Sequence, residues 1–394
     1  MTNFIRFLSV LALLQVGDFA LANTTISSLP FECDTAGETY TLSGNLALSS
    51  GDAITIAANN VTLIGNGHTI RYAVNGSGHA INFQGARQNV TIRDFVLTQG
   101  EYDPGSGEQV SAVRINNASS AVRILDNEIH VAHGGRSSSA IGYGIQINNS
   151  GGSTGNEISG NRITVSGTSG SRGISIDGRW AGRIADNNVT VDNVGRNPAG
   201  YARVISLIGT RGAELSNNTI IVGEHTDTAQ GISLWGASDG RFIGNVVIQR
   251  GEHSRGILFD GGSSNNVARG NRITLESSVA GSEYSAGIRI RYGSSNNSVE
   301  ENHIESLNTS SSFPMRLGGA DSSYPTQPSN NRIVNNTVLG GSRTVYIEDG
   351  SDFTFEGNRI SAASGGVAVG LWCPSCRDNE FHGDEISGRI HITG

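Results

Sequence analysis

The sequence contains no lysine, so all 27 basic residues are arginines, and only 16% of the 394 residues are charged. A formal net charge of −8 argues against a nucleic-acid-binding protein that depends on phosphate contacts. Three cysteines are too few for a disulfide-rich scaffold. Chemistry that requires a cation must therefore use arginine, and a proton acceptor must be His, Tyr, Asp or Glu.

The cysteines predict one local bond at most. Cys373 and Cys376 are separated by two residues, and a disulfide between them is favoured over a zinc site because no second ligand pair is nearby. Cys33 lies far away in the sequence, so in an elongated repeat protein it is out of reach of both.

Long apolar runs are also missing, except near the N-terminus. Arg6 is followed by an apolar run over 7–16 and by Ala20-Leu21-Ala22, which is typical of a secretory signal peptide. The run is too short to span a membrane. We therefore predict a signal peptide over 1–22 and a secreted or periplasmic protein without a membrane span.

The most informative pattern is a motif that the chain keeps repeating. Gly-Asn-Arg-Ile-Thr-Val at 160–165 returns as Gly-Asn-Arg-Ile-Thr-Leu at 270–275 and Gly-Asn-Arg-Ile-Ser at 357–361. Its first asparagine and those of the looser copies are separated by 22 to 34 residues and occupy positions 127, 161, 187, 218, 245, 271, 302, 336 and 358. A period of this size is typical of a solenoid.

A second repeated element identifies the kind of solenoid. Gly144-Ile-Gln-Ile recurs with variations at Gly173, Gly231, Gly256 and Gly287, and its apolar–variable–apolar alternation predicts a short strand with one buried face. We predict an all-β, right-handed single-stranded parallel β-helix of about 12 coils. It should form one domain over 23–394, with an N-terminal cap region over 23–51.

The repeated asparagines have a structural explanation. At a bend between strands, Asn tolerates the left-handed backbone region, and in stacked coils its amide can donate to the next Asn and accept from the previous one. The sequence insertions fall between the Asn-motif strand and the next Gly-Ile strand, which places them on one edge of the helix. They cover 101–109, 132–143, 192–202, 223–230, 278–286 and 308–314. Loops beside a regular sheet are where function is usually found.

Strand alternation predicts a polar face rich in cations and aromatic rings. The outward positions, loop exits and loops of the middle coils supply the candidate catalytic residues His225, His253, Tyr201, Arg203, Arg255 and Arg289. The candidate substrate-binding residues are Asp177, Trp235, Asp260, Arg172, Tyr284, Arg291, Tyr346 and Glu348. A long groove of this composition suits an extended sugar polymer, with Trp235 and the tyrosines stacking on sugar faces.

An acidic polysaccharide would use these groups well. In β-elimination a base removes the proton α to a uronate carboxyl, and a cation neutralises the enolate-like charge that develops. Arg203, Arg255 and Arg289 would clamp the carboxylate, and His225, His253 or Tyr201 would move the proton. A C5-epimerase needs the same groups. A glycoside hydrolase needs two carboxylates near one bond, and Asp177 and Asp260 are three coils, about 14 Å, apart. A Glu–Asp pair involving Glu224 or Glu252 stays open.

The repeats resemble the pectate-lyase-like right-handed parallel β-helix proteins with PbH1-type repeats. The resemblance rests on the Asn-Arg-Ile copies at Asn161, Asn271 and Asn358, and on Asn60-Val-Thr-Leu with Gly65-Asn-Gly-His-Thr-Ile. That group includes alginate and chondroitin lyases, mannuronan C5-epimerases and periplasmic carbohydrate- or copper-associated proteins. The Asp-Pro-His-Asp motif of the epimerases and the Lys–Arg pair of one lyase family have no counterpart here.

From these observations the first functional prediction is a secreted polysaccharide lyase that cleaves an acidic polysaccharide. The alternatives are a glycoside hydrolase, a C5-epimerase and a non-catalytic carbohydrate-binding surface protein. No metal ligands and no certain cofactor are predicted, and Ca²⁺ is left open. The expected partner is the acidic polysaccharide, and the sequence does not determine the oligomeric state.

Overall fold

The computed structural model describes residues 23–102, 104–105, 107–133, 141–167, 170–192, 202–226, 228–276, 285–307, 312–319, 325–373 and 376–393. The predicted signal peptide, Tyr201 and Tyr284 lie outside these residues. Within the described ranges every regular element is a β-strand, and no helix has the length and apolarity needed to cross a membrane.

The strands are numbered in chain order. The first part of the chain contains β1 (Asn23–Ile26), β2 (Phe31–Cys33), β3 (Thr39–Leu42), β4 (Leu46–Ala47), β5 (Ile54–Ile56), β6 (Thr62–Ile64), β7 (Thr69–Tyr72), β8 (His79–Phe83), β9 (Thr91–Arg93), β10 (Val96–Gln99), β11 (Gln109–Ile115), β12 (Arg123–Leu125) and β13 (Glu128–His133). The middle contains β14 (Ile141–Ser159), β15 (Arg162–Gly167), β16 (Arg172–Ala185), β17 (Asn188–Asp192), β18 (Ala202–Ile208), β19 (Glu214–Ser216), β20 (Thr219–Val222), β21 (Ala229–Trp235), β22 (Arg241–Ile243), β23 (Val246–Gln249), β24 (Arg255–Asp260), β25 (Val267–Arg269) and β26 (Arg272–Leu275). The last part contains β27 (Ala286–Ile290), β28 (Ser298–Glu300), β29 (His303–Ser306), β30 (Phe313–Gly318), β31 (Arg332–Val334), β32 (Thr337–Gly340), β33 (Arg343–Glu348), β34 (Thr354–Glu356), β35 (Arg359–Ser361), β36 (Val367–Trp372), β37 (Glu380–His382), β38 (Glu385–Ser387) and β39 (Arg389–Thr393).

These strands form three faces of a stack of coils. The front face contains the Gly-Ile strands, the side face follows it in each coil, and the back face carries the Asn-motif strands. Equivalent strands of neighbouring coils pair in parallel, as β21 does with β24 and β23 with β26. The front and side faces share a 26-stranded sheet, and β14 and β16 run through both. The back face has 13 strands among the described residues, one more than the approximate number of coils predicted.

The core is a set of aligned apolar side chains inside the coils. Ile205, Ile232, Ile257 and Ile288 occupy one register position on the front face and are fully buried. Buried Val and Ile residues of the back face pack against them. The predicted parallel β-helix is therefore confirmed, since alternating apolar residues of successive repeats stack as identical rungs.

The repeated glycine before each of these isoleucines is required by space. A Cβ on Gly256 would lie 2.4 Å from the carbonyl oxygen of Gly287 in the next coil and 2.7 Å from Ile273 in the core. The register passes from the Arg255–Ala286 pair directly to the Ile257–Ile288 pair. The glycine and the isoleucine that follows it therefore both face the core, and Arg255 faces outward.

This crowding gives a test of the fold. The Gly256→Ala variant should lose about 2–3 kcal/mol of unfolding free energy, because the added methyl group meets backbone as well as a packed side chain. Denaturant unfolding would measure the loss. Gly44→Ala is the matched control, since a Cβ there meets nothing within 4 Å. Equal stability of the two variants would contradict this account of the glycine column.

The asparagines of the repeat form the predicted ladder. The backbone and side-chain amides of Asn218 both donate to Oδ1 of Asn245, and Asn245 donates in the same way to Asn271. The ladder continues to Asn358, whose donors end on the carboxylate of Asp384. The prediction that these asparagines themselves adopt the left-handed conformation is wrong. The residue before each one does so, as Asp186 and Asn217 show. The chain therefore turns one residue before the ladder asparagine.

Two smaller predictions can also be compared with the structure. Cys373 and Cys376 form the expected local disulfide, and Cys33 is free and buried. Parts of the six insertions lie outside the described residues; in each case the flanking strands are a back-face strand and the next front-face strand.

Candidate functional site

The front face aligns most of the predicted site residues in three columns that run along the stack. The column at the strand start contains Tyr143, Arg172, Arg203, Gln230 and Arg255 in consecutive coils. The middle column contains Leu258, Arg289, Arg316, Tyr346 and Gly370. The column at the strand end contains Asp177, Ile208, Trp235 and Asp260, and further along Gly318, Glu348 and Trp372.

Arg316 is a residue that the sequence reasoning missed. It lies between Arg289 and Tyr346 in the middle column. Its strand, β30, has Pro314 where β14, β16, β21, β24 and β27 have glycine, so the Gly-Ile pattern does not appear there. Aligning Phe313-Pro-Met-Arg with Ala286-Gly-Ile-Arg would have placed Arg316 in the column of Arg289.

The three columns differ in depth. Arg255, Arg289 and Tyr346 are buried, with Arg289 only 6% exposed. The strand-end column contains the open positions: Asp177 is exposed, and Trp235 is 36% exposed. Arg255 and Arg289 therefore lie on the predicted face, but deeper than the more open edge formed by the strand ends.

Arg289 is the centre of an arginine cluster formed by Arg255, Arg289, Arg291 and Arg316. Burial lowers the pKa of Arg289, and the charges of Arg316, Arg255 and Arg291 lower it further, with Glu348 opposing them. Its Nε is buried and has no hydrogen-bond partner among the described residues. The folded chain thus holds a guanidinium among like charges, an arrangement that an incoming anion would relieve.

Two members of the arginine cluster are neutralised by carboxylates. Arg291 Nε and Nη2 donate to one Oδ2 of Asp260 at 3.1 and 2.7 Å. Arg316 Nε and Nη2 donate to Oε2 of Glu348 at 3.1 and 2.7 Å. Asp260 is only 2% exposed. These pairs hold Asp260 and Glu348 as acceptors, which makes both carboxylates structural partners of the arginines.

Tyr346 borders the arginine cluster. Its ring packs against Phe313 with centroids 5.2 Å apart, and the guanidinium carbons of Arg343 and Arg316 lie 5.1 and 5.9 Å from its centroid. Burial raises the pKa of the Tyr346 phenol, Glu348 raises it further, and the two arginines oppose this. The phenol is therefore protonated at neutral pH and can donate a proton.

The other predicted residues lie further along the face or on its loops. Arg203 donates to Gln230, and Arg172 lies 5.5 Å from the ring centroid of Tyr143. The Nδ1 of His225 lies 3.2 Å from a carboxylate oxygen of Asp192, with the imidazole 65% exposed. His253 is half-buried two residues before β24, in a left-handed conformation with φ of 41°.

The chain is similar in architecture to several solved structures of carbohydrate-active proteins. A mutant of the periplasmic alginate epimerase AlgG matches with 14% identity and a TM-score of 0.46, covering 90% of this chain and 77% of that one. The A-module of the mannuronan C-5 epimerase AlgE6 of Azotobacter vinelandii has 12% identity and a TM-score of 0.44, covering 94% and 87%. The alginate lyase AlyF-OU02 has 13% identity and a TM-score of 0.43, covering 95% and 87%. No curated protein matches the chain.

Residues 230–394 match the family model described as a right handed beta helix region. The chain has the fold of a right-handed parallel β-helix. The matched coils include the arginine cluster of this β-helix protein and its C-terminal coils, and the handedness expected from the crossover rule is confirmed.

The N-terminal coils of the β-helix protein contain a second polar group that sequence reasoning also missed. His79 is buried, accepts a hydrogen bond at Nδ1 from the Ser111 backbone at 3.0 Å, and its Nε2 lies 2.9 Å from Nη1 of Arg114. Burial lowers the pKa of His79 to about 4; Asp52 opposes this effect and Arg114 adds to it. His79 and Tyr143 share the strand-start column. Their positions could have been read from the Gly-Ile register.

The lowered pKa of His79 predicts an acid-sensitive fold. Between pH 6.5 and about 4 the unfolded chain binds a proton at this residue that the folded chain does not. The free energy of unfolding should therefore fall as the pH drops through this window, by about 3 kcal/mol in total. Denaturant titrations across the window should show a shallower slope for His79→Gln. The exposed His382→Gln serves as the control, and an unchanged slope in His79→Gln would contradict the prediction.

The described residues contain no group of three or more His, Cys, Asp and Glu side chains that could hold a metal ion. The acidic residues predicted for the site are instead distributed along the strand-end column, and two of them bind arginines.

Proposed function

We propose that this β-helix protein is an exported enzyme acting on an acidic polysaccharide, and that its reaction is β-elimination at a uronate residue. The observation that carries the proposal is Arg289, a buried guanidinium with three arginine neighbours and a buried Nε without a partner among the described residues. A uronate carboxylate is planar and anionic, so it fits a guanidinium through paired hydrogen bonds.

In this reaction Arg289 would bind the carboxylate and stabilise the charge that moves onto it. When the C5 proton leaves, the electron pair forms an enolate-like group, and the C4–O bond then breaks as the C4–C5 double bond forms. A fixed cation beside the carboxylate is most effective where water is excluded. Arg316 assists from the next coil, held in place by Glu348.

Tyr346 is suited to protonate the leaving oxygen. Its phenol carries a proton at neutral pH, and its ring lies next to Arg316 in the middle column. For removal of the C5 proton we retain His253, which lies in the coil of Arg255, two residues before it. His225, whose imidazole faces the carboxylate of Asp192, is the other candidate.

The polymer would lie along the more open strand-end column. Trp235 offers a partly exposed indole there, and the ring lies over Gly261 of the next coil, where a Cβ would come within 2.7 Å of it. An indole in such a position suits the apolar face of a sugar ring. Asp177, exposed two coils before Trp235, would contact hydroxyl groups.

A glycoside hydrolase is less well supported. Asp260 and Glu348 are three coils, about 14 Å, apart along the stack, whereas the two carboxyl groups of a hydrolase flank one bond. Both are also bound to arginines. A C5-epimerase would use the same arginines, with the proton returned to the opposite face of the ring.

Incubation with a panel of acidic glycans tests the proposal. A lyase produces new reducing ends together with the ultraviolet absorbance of an unsaturated uronate, and this result is expected. Reducing ends without that absorbance would indicate hydrolysis, and an altered uronate configuration without cleavage would indicate epimerisation. Retention of the polymer with no chemical change would leave a carbohydrate-binding protein. Full activity of Tyr346→Phe together with loss of activity in His253→Ala would contradict the role of Tyr346 as the acid and leave His253 as the proton-transfer residue.

A further inference from the structure

A cavity lies at the C-terminal end of the front face, beyond the arginine cluster. It has a volume of about 490 Å³ and is lined by residues of β33, β36 and β39, among them Arg343, Tyr346, Gly370, Trp372, Arg389 and His391. We call it the terminal cavity. Its volume lies within the range of ligand pockets, roughly 300–1,000 Å³.

The cavity arises from a missing side chain in the middle column. Gly370 pairs with Tyr346 on one side and His391 on the other. Because glycine contributes no side chain, the space of one rung, about 4.8 Å, is left between the Tyr346 ring and His391. A Cβ at Gly370 would come within 3.3 Å of the Tyr346 ring, which shows how closely that ring approaches the gap.

The walls of the terminal cavity differ in chemistry. Arg343 and Arg389 lie on one side, both in register with Val367 from the coils on either side of it. Arg389 donates to the carbonyl of Gly365, and Arg343 lies over the Tyr346 ring. Neither pairs with a carboxylate among the residues that the structure describes. On the opposite side is Trp372, which is 56% exposed, more than either of the other two tryptophans.

We propose that the terminal cavity is a binding subsite for one acidic sugar unit, whose apolar face stacks on Trp372 and whose carboxylate meets Arg343 and Arg389. The inference rests on the proposed function for its ligand class, an anionic polysaccharide. It extends that function by placing a subsite two to three rungs, about 10–14 Å, beyond Arg289. A chain long enough to reach both places would be bound more tightly than a short one.

Calorimetric binding of uronate oligosaccharides tests the subsite apart from catalysis. The measurement uses the Arg289→Met background, in which cleavage is expected to be suppressed. Adding Trp372→Ala or Arg389→Gln should weaken binding of long oligosaccharides about tenfold and leave binding of the shortest ones unchanged. Trp372→Phe should restore most of the affinity because it keeps a stacking ring. Arg359→Gln is the matched control, since Arg359 is exposed on the back face beside Glu385.

The outcomes separate the two proposals. Weaker binding in the Trp372 and Arg389 variants of a protein that cleaves nothing would support the subsite and overturn the lyase. Cleavage by the wild type, with the same KM for long and short oligosaccharides in all variants, would support the lyase and overturn the subsite. Equal loss of affinity for long and short oligosaccharides would also overturn it, because the subsite would then not be remote from Arg289.

Discussion

The Arg289→Met variant is expected to lose activity by roughly 10²–10³-fold in kcat and at the same time to become more stable. The loss follows from removing the cation that faces the developing charge. The gain follows because Arg289 is buried among Arg255, Arg291 and Arg316, so an apolar side chain of similar length removes repulsion and a desolvated charge. A gain of about 1–2 kcal/mol in unfolding free energy is expected.

Opposite changes in activity and stability distinguish this residue from a structural arginine. Arg359→Met should change neither quantity, because Arg359 is exposed on the back face. Turnover on the acidic-glycan panel and denaturant unfolding supply the two measurements. Full activity in Arg289→Met would place the site elsewhere, and a lower stability would mean that Arg289 is a bound partner in the fold. Arg316→Met should not gain stability as Arg289→Met does, since it leaves Glu348 without its arginine partner.

The Asn245→Ala variant should be strongly destabilising, because Asn245 lies in the middle of the asparagine ladder. It removes the acceptor of both amide donors of Asn218 and the donor to the Leu215 carbonyl and to Asn271. All of these groups lie in the buried ladder, where an unmade hydrogen bond costs the full desolvation penalty. A loss of about 4 kcal/mol is expected.

The location of this loss can be measured as well as its size. In a repeat protein each coil contacts mainly its neighbours, so hydrogen exchange should accelerate first in the coils of Asn218, Asn245 and Asn271. Asn217→Gly is the control, because Asn217 is exposed and already has a φ of 55° that glycine adopts readily. Uniform exchange along the whole chain, or equal stability of the two variants, would contradict the ladder's role.

Much of the fold could be predicted from the sequence because a repeat displays its own register. The asparagine positions predicted the ladder, and the Gly-Ile copies predicted which side chains share a column. Arg316 was missed where Pro314 replaces the glycine, although the column continues through it. Tyr143 was also missed, although it precedes Gly144 as Arg172 precedes Gly173.

The depth of the site residues could not be predicted in this way. Alternation gives the direction of a side chain, but the exposure of Arg255, Arg289 and Asp260 depends on the long side chains of neighbouring coils. Nor does a sequence show that Arg291 and Arg316 already have carboxylate partners while Arg289 is left among like charges. That asymmetry arises only when four coils are stacked in register.

The asparagine ladder also sets a rule for how this molecule can change in length. Each ladder asparagine donates its backbone amide and one side-chain hydrogen to the C-terminal neighbour and accepts from the N-terminal one, so the links are alike. Excising 245–270, the 26 residues from one link to the next, would bring the donors of Asn218 to the Oδ1 of Asn271 with no unmatched group. A cut that does not run from one ladder asparagine to another would leave a gap in the chain of amides. A whole coil is thus the unit by which such a protein can be lengthened or shortened. A groove along it changes in steps of one strand spacing, about 4.8 Å.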